Sequence, residues 1–161
     1  MALCQKGKRI LERMVRMVLV SGCLLGHNCK YNGGNNLTPS LVEQLRTVSH
    51  QVICPECMGG LCIPHLPSEI EVGFSGEDVI CGRGKVFAQD GSDVTQAFLN
   101  GAYAVLDIAK KTNPSCIYLK QSSPSCGCGL IYDGTFTHQK KPGNGVTTAL
   151  LLKHHFPVTA V

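Results

Sequence analysis

Three of the ten cysteines in this 161-residue chain lie where a short apolar stretch runs into a tight loop. Cys23 follows Val-Leu-Val-Ser-Gly, Cys54 follows Val-Ile, and Cys126 lies in a Ser-Ser-Pro-Ser-Cys-Gly loop. The carboxyl ends of parallel strands meet at one edge of an open α/β sheet, where ligands bind, so residues far apart in sequence converge there. Thiols gathered at such an edge suit a shared metal cluster better than structural bridges. The placement therefore predicts a metal site built from these three side chains.

The residues alone leave other thiol chemistry open. The segment 54–57 is formally a Cys-x-x-Cys pair of the kind used in thiol-disulfide exchange, although two glycines and a proline follow it, where a thioredoxin-type motif opens a helix directly. The hypothesis of a disulfide framework is weakened because the chain is long enough to be stabilised by its core. Paired Cys-x-x-Cys knuckles are missing, but a structural zinc ion could still be held by a different set of four thiols, those of Cys57, Cys62, Cys126 and Cys128.

Alternating strand and helix patterns predict the scaffold that would position these thiols. Helices should follow Thr38, Ser92 or Asp93, and Asn144, because apolar residues at helical spacing come after each of them. This alternation predicts one three-layer α/β domain with a mainly parallel sheet over residues 17–161. Apolar runs bounded by turn residues predict strands at 17–20, 52–53, 116–119, 130–132 with a restart at 135–136, and 157–161.

The stretch 55–92 is the hardest to interpret, because many glycines and prolines interrupt it. Two short apolar pairs, 79–80 and 86–87, flank the glycines at 82 and 84 and are predicted to form paired strands. Segments of this kind are where insertions specific to function occur.

The net charge of +4 comes from the first sixteen residues, which carry five basic side chains and one acidic one. From residue 17 onward, ten basic and ten acidic side chains balance, so the body of the chain has no basic stripe for a nucleic acid. No apolar run approaches the length of a membrane span. We expect a cytoplasmic monomer or weak homodimer with a basic extension at 1–16, and no nucleic-acid or membrane partner.

Six groups of short motifs occur along the chain in a fixed order. They are Ser-Gly-Cys-Leu-Leu-Gly at 21–26 with Tyr-Asn-Gly at 31–33, Cys-Pro-Glu at 54–56 with Gly-Gly-Leu at 59–61, Asp-Val-Thr at 93–95, Leu-Lys at 119–120 with Ser-Pro-Ser-Cys-Gly at 123–127, Ile-Tyr-Asp-Gly-Thr-Phe at 131–136, and Gly-Asn-Gly-Val-Thr at 143–147. In this order they resemble the thiouracil desulfidase family, long known only as a domain of unknown function. The likeness runs from about residue 17 to residue 161.

The resemblance implies a compact Rossmann-like domain and a [4Fe-4S] cluster held by Cys23, Cys54 and Cys126. Three protein ligands leave one iron open, and an open metal site can act as a Lewis acid. The activity implied is that of a desulfidase that removes sulfur from a thiolated pyrimidine or a similar small thiocarbonyl compound and releases sulfide. The alternative is a non-catalytic iron-sulfur or zinc protein, or a thiol-redox protein.

The resemblance also implies roles for individual side chains. Glu56 and Ser123 match the positions expected to handle protons, although a loop cap and a turn cap are the plain alternatives. Tyr31, Asn32 and Gly33 are expected to shape the substrate pocket, and a plain tight turn is the alternative for all three. Ser125 is also expected to contact the substrate, and a turn cap is the alternative for it.

Two positions depart from the family pattern. Asn32 stands where the family commonly has an acid, and His65 stands where an arginine is usual. Both departures bear on the identity of the substrate.

Overall fold

The computed structural model describes residues 17–161, and the predicted extension at 1–16 lies outside the described residues. A 3₁₀ turn at Gly22–Leu25 follows the first strand directly. The strands, in chain order, are β1 (Val18–Ser21), β2 (His50–Ile53), β3 (Ser68–Ile70), β4 (Val86–Ala88), β5 (Cys116–Leu119), β6 (Leu130–Tyr132), β7 (Lys140–Pro142) and β8 (Val158–Ala160). The helices are α1 (Pro39–Leu45), α2 (Pro55–Met58), α3 (Gly76–Ile80), α4 (Thr95–Thr112) and α5 (Val146–Lys153).

Four parallel strands form the central sheet, in the order β2-β1-β5-β8. The register places Val20 of β1 opposite Val52 of β2 and Tyr118 of β5. All four strands therefore end at the same edge, and β1 lies between β2 and β5. Two antiparallel pairs, β3 with β4 and β6 with β7, lie outside this sheet. The predicted α/β fold with a mainly parallel sheet is confirmed.

Alternate residues of β1 are buried on opposite faces of the sheet. Leu19 packs in a cluster that includes Phe98 of α4 and Leu151 of α5. Val18 and Val20 pack instead in a second cluster with residues of the 3₁₀ turn and α1. Because helices cover both faces, the sheet is the middle of three layers.

Helix α4 confirms the most regular helical pattern of the sequence. It ends at Asn113, whose left-handed φ of 45° suits asparagine better than most residues. At its start, the Asp93 carboxylate accepts the backbone N–H and the hydroxyl of Thr95. Its inward residues are all at most 2% exposed: Phe98, Ala102, Val105, Leu106 and Ala109.

Two predicted strand pairings are wrong. Residues 79–80 belong to helix α3, because Ser75 and Asp78 cap its start: the Asp78 carboxylate accepts both the N–H and the hydroxyl of Ser75, at 3.1 and 3.2 Å. Strand β4 therefore pairs with β3 instead. The restart predicted at 135–136 is also absent, since Phe136 has a left-handed φ of 58° and the partner of β6 is β7.

Two glycines allow α2 to lie directly against α4. A Cβ at Gly101 would overlap the carbonyl oxygen of Pro55, and a Cβ at Gly59 would overlap that of Ala97. Backbones can approach this closely only where no side chain intervenes. This contact fixes the position of α2 relative to the core.

Candidate active site

A cavity of about 300 Å³ opens at the edge of the sheet where β1, β2 and β5 end. Cys23 comes from the 3₁₀ turn after β1, Cys54 follows β2 directly, and Cys126 lies in the loop after β5. All three line the cavity, and Cys23 and Cys126 are buried. The structure thus brings together the three thiols singled out from the sequence. Their assignment as ligands stays a prediction.

Cys54 departs from its sequence interpretation in one respect. Helix α2 begins directly after it, with Pro55 at the first helical position, although the glycines beyond the motif argued against a helix. Cys57 consequently lies in the same short helix, as in a thiol-redox pair. Contacts with the thiols of Cys29 and Cys57 lower the pKa of Cys54 to about 6, although burial opposes this. The thiolate is the form that binds metals.

Cys29, which no sequence pattern singled out, contacts two of the predicted ligands. The Cys54 thiol lies 3.8 Å from the carbonyl oxygen of Cys29. Interaction with Cys29 lowers the pKa of Cys23 to about 7, and the same interaction raises the pKa of Cys29. A turn at Gly26, with φ of 92°, folds the loop back. The one available signal was that Cys29 follows Cys23 by six residues in the same loop.

The loop that carries Cys126 is held by hydroxyl groups. Ser123 Oγ accepts the backbone N–H groups of Ser125 and Cys126, at 3.1 and 3.2 Å. Thr148 Oγ1 donates to the carbonyl oxygen of Cys126 at 2.8 Å. Burial raises the pKa of the Cys126 thiol.

Glu56 of α2 lies in the same cavity and is held by two side chains. Ser123 Oγ donates to Glu56 Oε1 at 3.3 Å, and His65 Nε2 lies 3.2 Å from Glu56 Oε2. The Glu56 and His65 side chains are only 18% and 13% exposed. The interaction with Glu56 raises the pKa of His65 above its ordinary value. Glu56 and Ser123, the two residues predicted to handle protons, are therefore in direct contact.

The residues predicted to contact the substrate are placed differently from one another. Tyr31 lines the cavity. Asn32 and Gly33 form a tight turn instead, in which Asn32 Oδ1 accepts the N–H of Gly34 at 3.0 Å and Gly33 has a φ of 78°. Ser125 is fully buried, and its hydroxyl is 2.9 Å from that of Thr147. The plain-turn interpretation thus describes the local structure of 32 and 33.

The end of β6 and the loop after it add aromatic side chains to the cavity, namely Tyr132 from the strand and Phe136 and His138 from the loop. The buried carboxylate of Glu69 on β3 accepts the backbone N–H groups of Gly134 and Phe136, at 2.9 and 3.1 Å. Glu69 therefore fixes this loop. No sequence pattern predicted the pairing, because Glu69 lies in a strand that was not predicted.

A family model described as 2-thiouracil desulfurase matches residues 18–161. The chain belongs to the 2-thiouracil desulfurase family. An uncharacterised protein of Bacillus subtilis (strain 168), YbbK, is 44% identical over 135 residues, which are 84% of this chain and 89% of YbbK. A solved structure of the [4Fe-4S]-dependent thiouracil desulfidase TudS has a TM-score of 0.75 and 34% identity, over 90% of this chain and 90% of that chain.

Membership of the 2-thiouracil desulfurase family confirms the resemblance on which the expected activity rested, and the likeness to TudS confirms the expected fold. Within residues 17–161, no three His, Cys, Asp or Glu side chains are arranged to hold a single metal ion. In the same part of the chain, no helix is long and apolar enough to cross a membrane.

Proposed function

We propose that this protein is an iron-sulfur-dependent desulfidase that replaces the sulfur of a thiolated pyrimidine, or of a similar small thiocarbonyl compound, by oxygen from water. The observation that carries the proposal is the gathering of three thiols and the Glu56–Ser123 pair around one cavity. The likeness to TudS, which is described as a thiouracil desulfidase, supports it. The reaction converts C=S and water into C=O and hydrogen sulfide without net electron transfer.

The thiol arrangement suits a [4Fe-4S] cluster. Such clusters are bound by cysteine thiolates, and we assign Cys23, Cys54 and Cys126 as the ligands. They come from three strand ends around the cavity and do not converge as ligands of a single ion would. The pKa values of Cys23 and Cys54 are both lowered, which makes their thiolates easier to form. When bound, the cluster supplies one iron without a protein ligand, which attracts the sulfur of a thiocarbonyl group.

Glu56 is the proposed general base. Its carboxylate lies two residues beyond Cys54, at the cavity wall, and takes a proton from water as the water adds to the thiocarbonyl carbon. Ser123 orients the carboxylate through its hydrogen bond to Oε1. The proton then passes from Glu56 to the departing sulfur or to a ring nitrogen of the substrate.

The cavity walls suit a flat ring. Tyr31 and Phe136 both line it, and aromatic faces stack well on planar heterocycles. We assign indirect roles to the other predicted substrate residues. Asn32 and Gly33 set the turn next to Tyr31, and Ser125 supports the loop of the third thiol.

Anaerobic reconstitution with iron and sulfide tests this function. We expect about four irons and four sulfides per chain and conversion of 2-thiouracil into uracil with release of sulfide. Serine substitutions of Cys23, Cys54 or Cys126 should each abolish stable cluster binding. The matched control is Cys81→Ser, because Cys81 is exposed and outside the cavity lining. Equal iron in all four variants would contradict the ligand assignment, and a full cluster without turnover of 2- or 4-thiouracil would contradict the activity.

Thiol-redox exchange is the second candidate, since α2 opens directly after Cys54 and carries Cys57. The pKa values of the two thiols differ as in such a pair, because burial raises that of Cys57 to about 12. Cys57→Ser separates the candidates. A desulfidase keeps its cluster and its turnover in this variant, whereas a thiol-redox protein loses its disulfide reductase activity.

A further inference from the structure

His65 lies between two hydrogen-bond acceptors. Its Nδ1 is 2.8 Å from the carbonyl oxygen of Leu66, which can only accept, so Nδ1 carries a proton. On the other side of the ring, Nε2 is buried and lies 3.2 Å from Glu56 Oε2, within ion-pair distance, but it makes no hydrogen bond. The protonation state of this nitrogen therefore decides whether the contact is attractive.

A neutral imidazole ring has a single N–H group, and here that group is on Nδ1. The lone pair of Nε2 would then face a carboxylate oxygen, and two buried acceptors in contact are unfavourable. A second proton, on Nε2, makes the ring positively charged and turns the same contact into an ion pair with the carboxylate. The raised pKa of His65, whose main cause is Glu56, agrees with this geometry.

We propose that His65, as an imidazolium ion, is the positioning residue that orients Glu56 for proton transfer, which rests on the desulfidase function proposed above. His65 holds Oε2 and Ser123 donates to Oε1, so the carboxylate is held at both oxygens. His65 is itself fixed, because its backbone N–H donates to the Tyr31 carbonyl at 2.8 Å. Two other titratable groups act on its ring: the Tyr31 phenol, with ring centroids 6.3 Å apart, and the Cys54 thiol directly after β2, whose charge also raises the pKa of His65.

The ion pair is tested first without any reference to turnover. Hydrogen exchange at the histidine Cε1 position, followed by mass spectrometry of the reconstituted protein across pH, gives a titration midpoint for each histidine. We expect the His65 midpoint to lie above the ordinary histidine value and to fall in Glu56→Gln. His154 and His155, both exposed, are internal controls whose midpoints should not change. A His65 midpoint that is the same in Glu56→Gln would overturn the proposal.

Kinetics then test the positioning role. His65→Gln keeps an N–H donor but no charge, and kcat for 2-thiouracil should fall roughly tenfold while KM changes by less than about twofold. Because the imidazolium is lost as the pH rises through the His65 pKa, kcat should fall there in the unaltered protein and not in His65→Gln. His65→Arg, which keeps a cation, should recover most of kcat. An unchanged kcat and pH profile in His65→Gln would overturn the proposal. Absence of turnover in the unaltered protein would count against the desulfidase function alone, because the exchange midpoints still decide on the ion pair.

Discussion

Replacing Gly101 by alanine tests whether the close contact of α4 with α2 positions the candidate active site. In an ordinary helix the change adds about 1 kcal/mol to the free energy of unfolding, because glycine is a poor helix former. Here the new Cβ would overlap the Pro55 carbonyl, and the helices would have to separate by about 1 Å to reach the 3.0 Å below which Cβ contacts essentially do not occur. Overpacking of this kind costs about 1–3 kcal/mol, so we expect the gain to be cancelled and the net loss to reach up to about 2 kcal/mol.

The same shift should lower turnover. Helix α2 carries Glu56 and follows Cys54, and a displacement of about 1 Å can cost about a hundredfold in rate. Urea unfolding under nitrogen gives the free energy, and steady-state conversion of 2-thiouracil gives kcat. The matched control is Asn100→Ala, an exposed neighbour on α4, which should change neither quantity by much. A Gly101→Ala protein that gains about 1 kcal/mol and keeps its kcat would refute the reasoning.

Three further substitutions separate roles around the cavity. Glu56→Gln keeps the size of the side chain and an acceptor oxygen but cannot take a proton from water. We therefore expect kcat for 2-thiouracil to fall at least about a hundredfold while the iron content stays unchanged. Loss of iron as well would mean that the carboxylate supports the cluster. Cys29→Ser should keep the iron content of the unaltered protein, because Cys29 is outside the proposed ligand set, and a protein without iron would make it a ligand. Glu69→Ala leaves two backbone N–H groups of the loop after β6 without an acceptor. The free energy of unfolding should therefore fall by about 1–3 kcal/mol, and KM for 2-thiouracil should rise. The control Glu71→Ala should change neither quantity.

The meeting of Cys23, Cys54 and Cys126 could be predicted from the sequence because parallel strands end at one edge, and strand ends are marked by apolar runs that stop at glycine or proline. Helix α4 could be predicted because an apolar stripe that runs through eighteen residues shows the repeat of about 3.6 residues that is typical of a helix.

The stretch 55–92 was harder because its elements have five residues or fewer, and such elements depend on tertiary packing more than on propensity. The start of α3 nevertheless had a signal in the sequence, since Ser75 and Asp78 have the spacing of a capping box. Proline directly after Cys54 was a similar signal for α2. Cys29 and His65 reach the cavity from irregular loops, where spacing along the chain says little about proximity in space.

The order of the sheet also bears on when the site can be completed during protein synthesis. Cys23 and Cys54 follow β1 and β2, which pair with each other, whereas Cys126 follows β5, which pairs on the other side of β1. A growing chain therefore presents two of the three proposed thiol ligands long before the third is translated. All three proposed ligands are therefore present together only after the ribosome has made at least the first 126 residues, so binding of the cluster to all three follows that point.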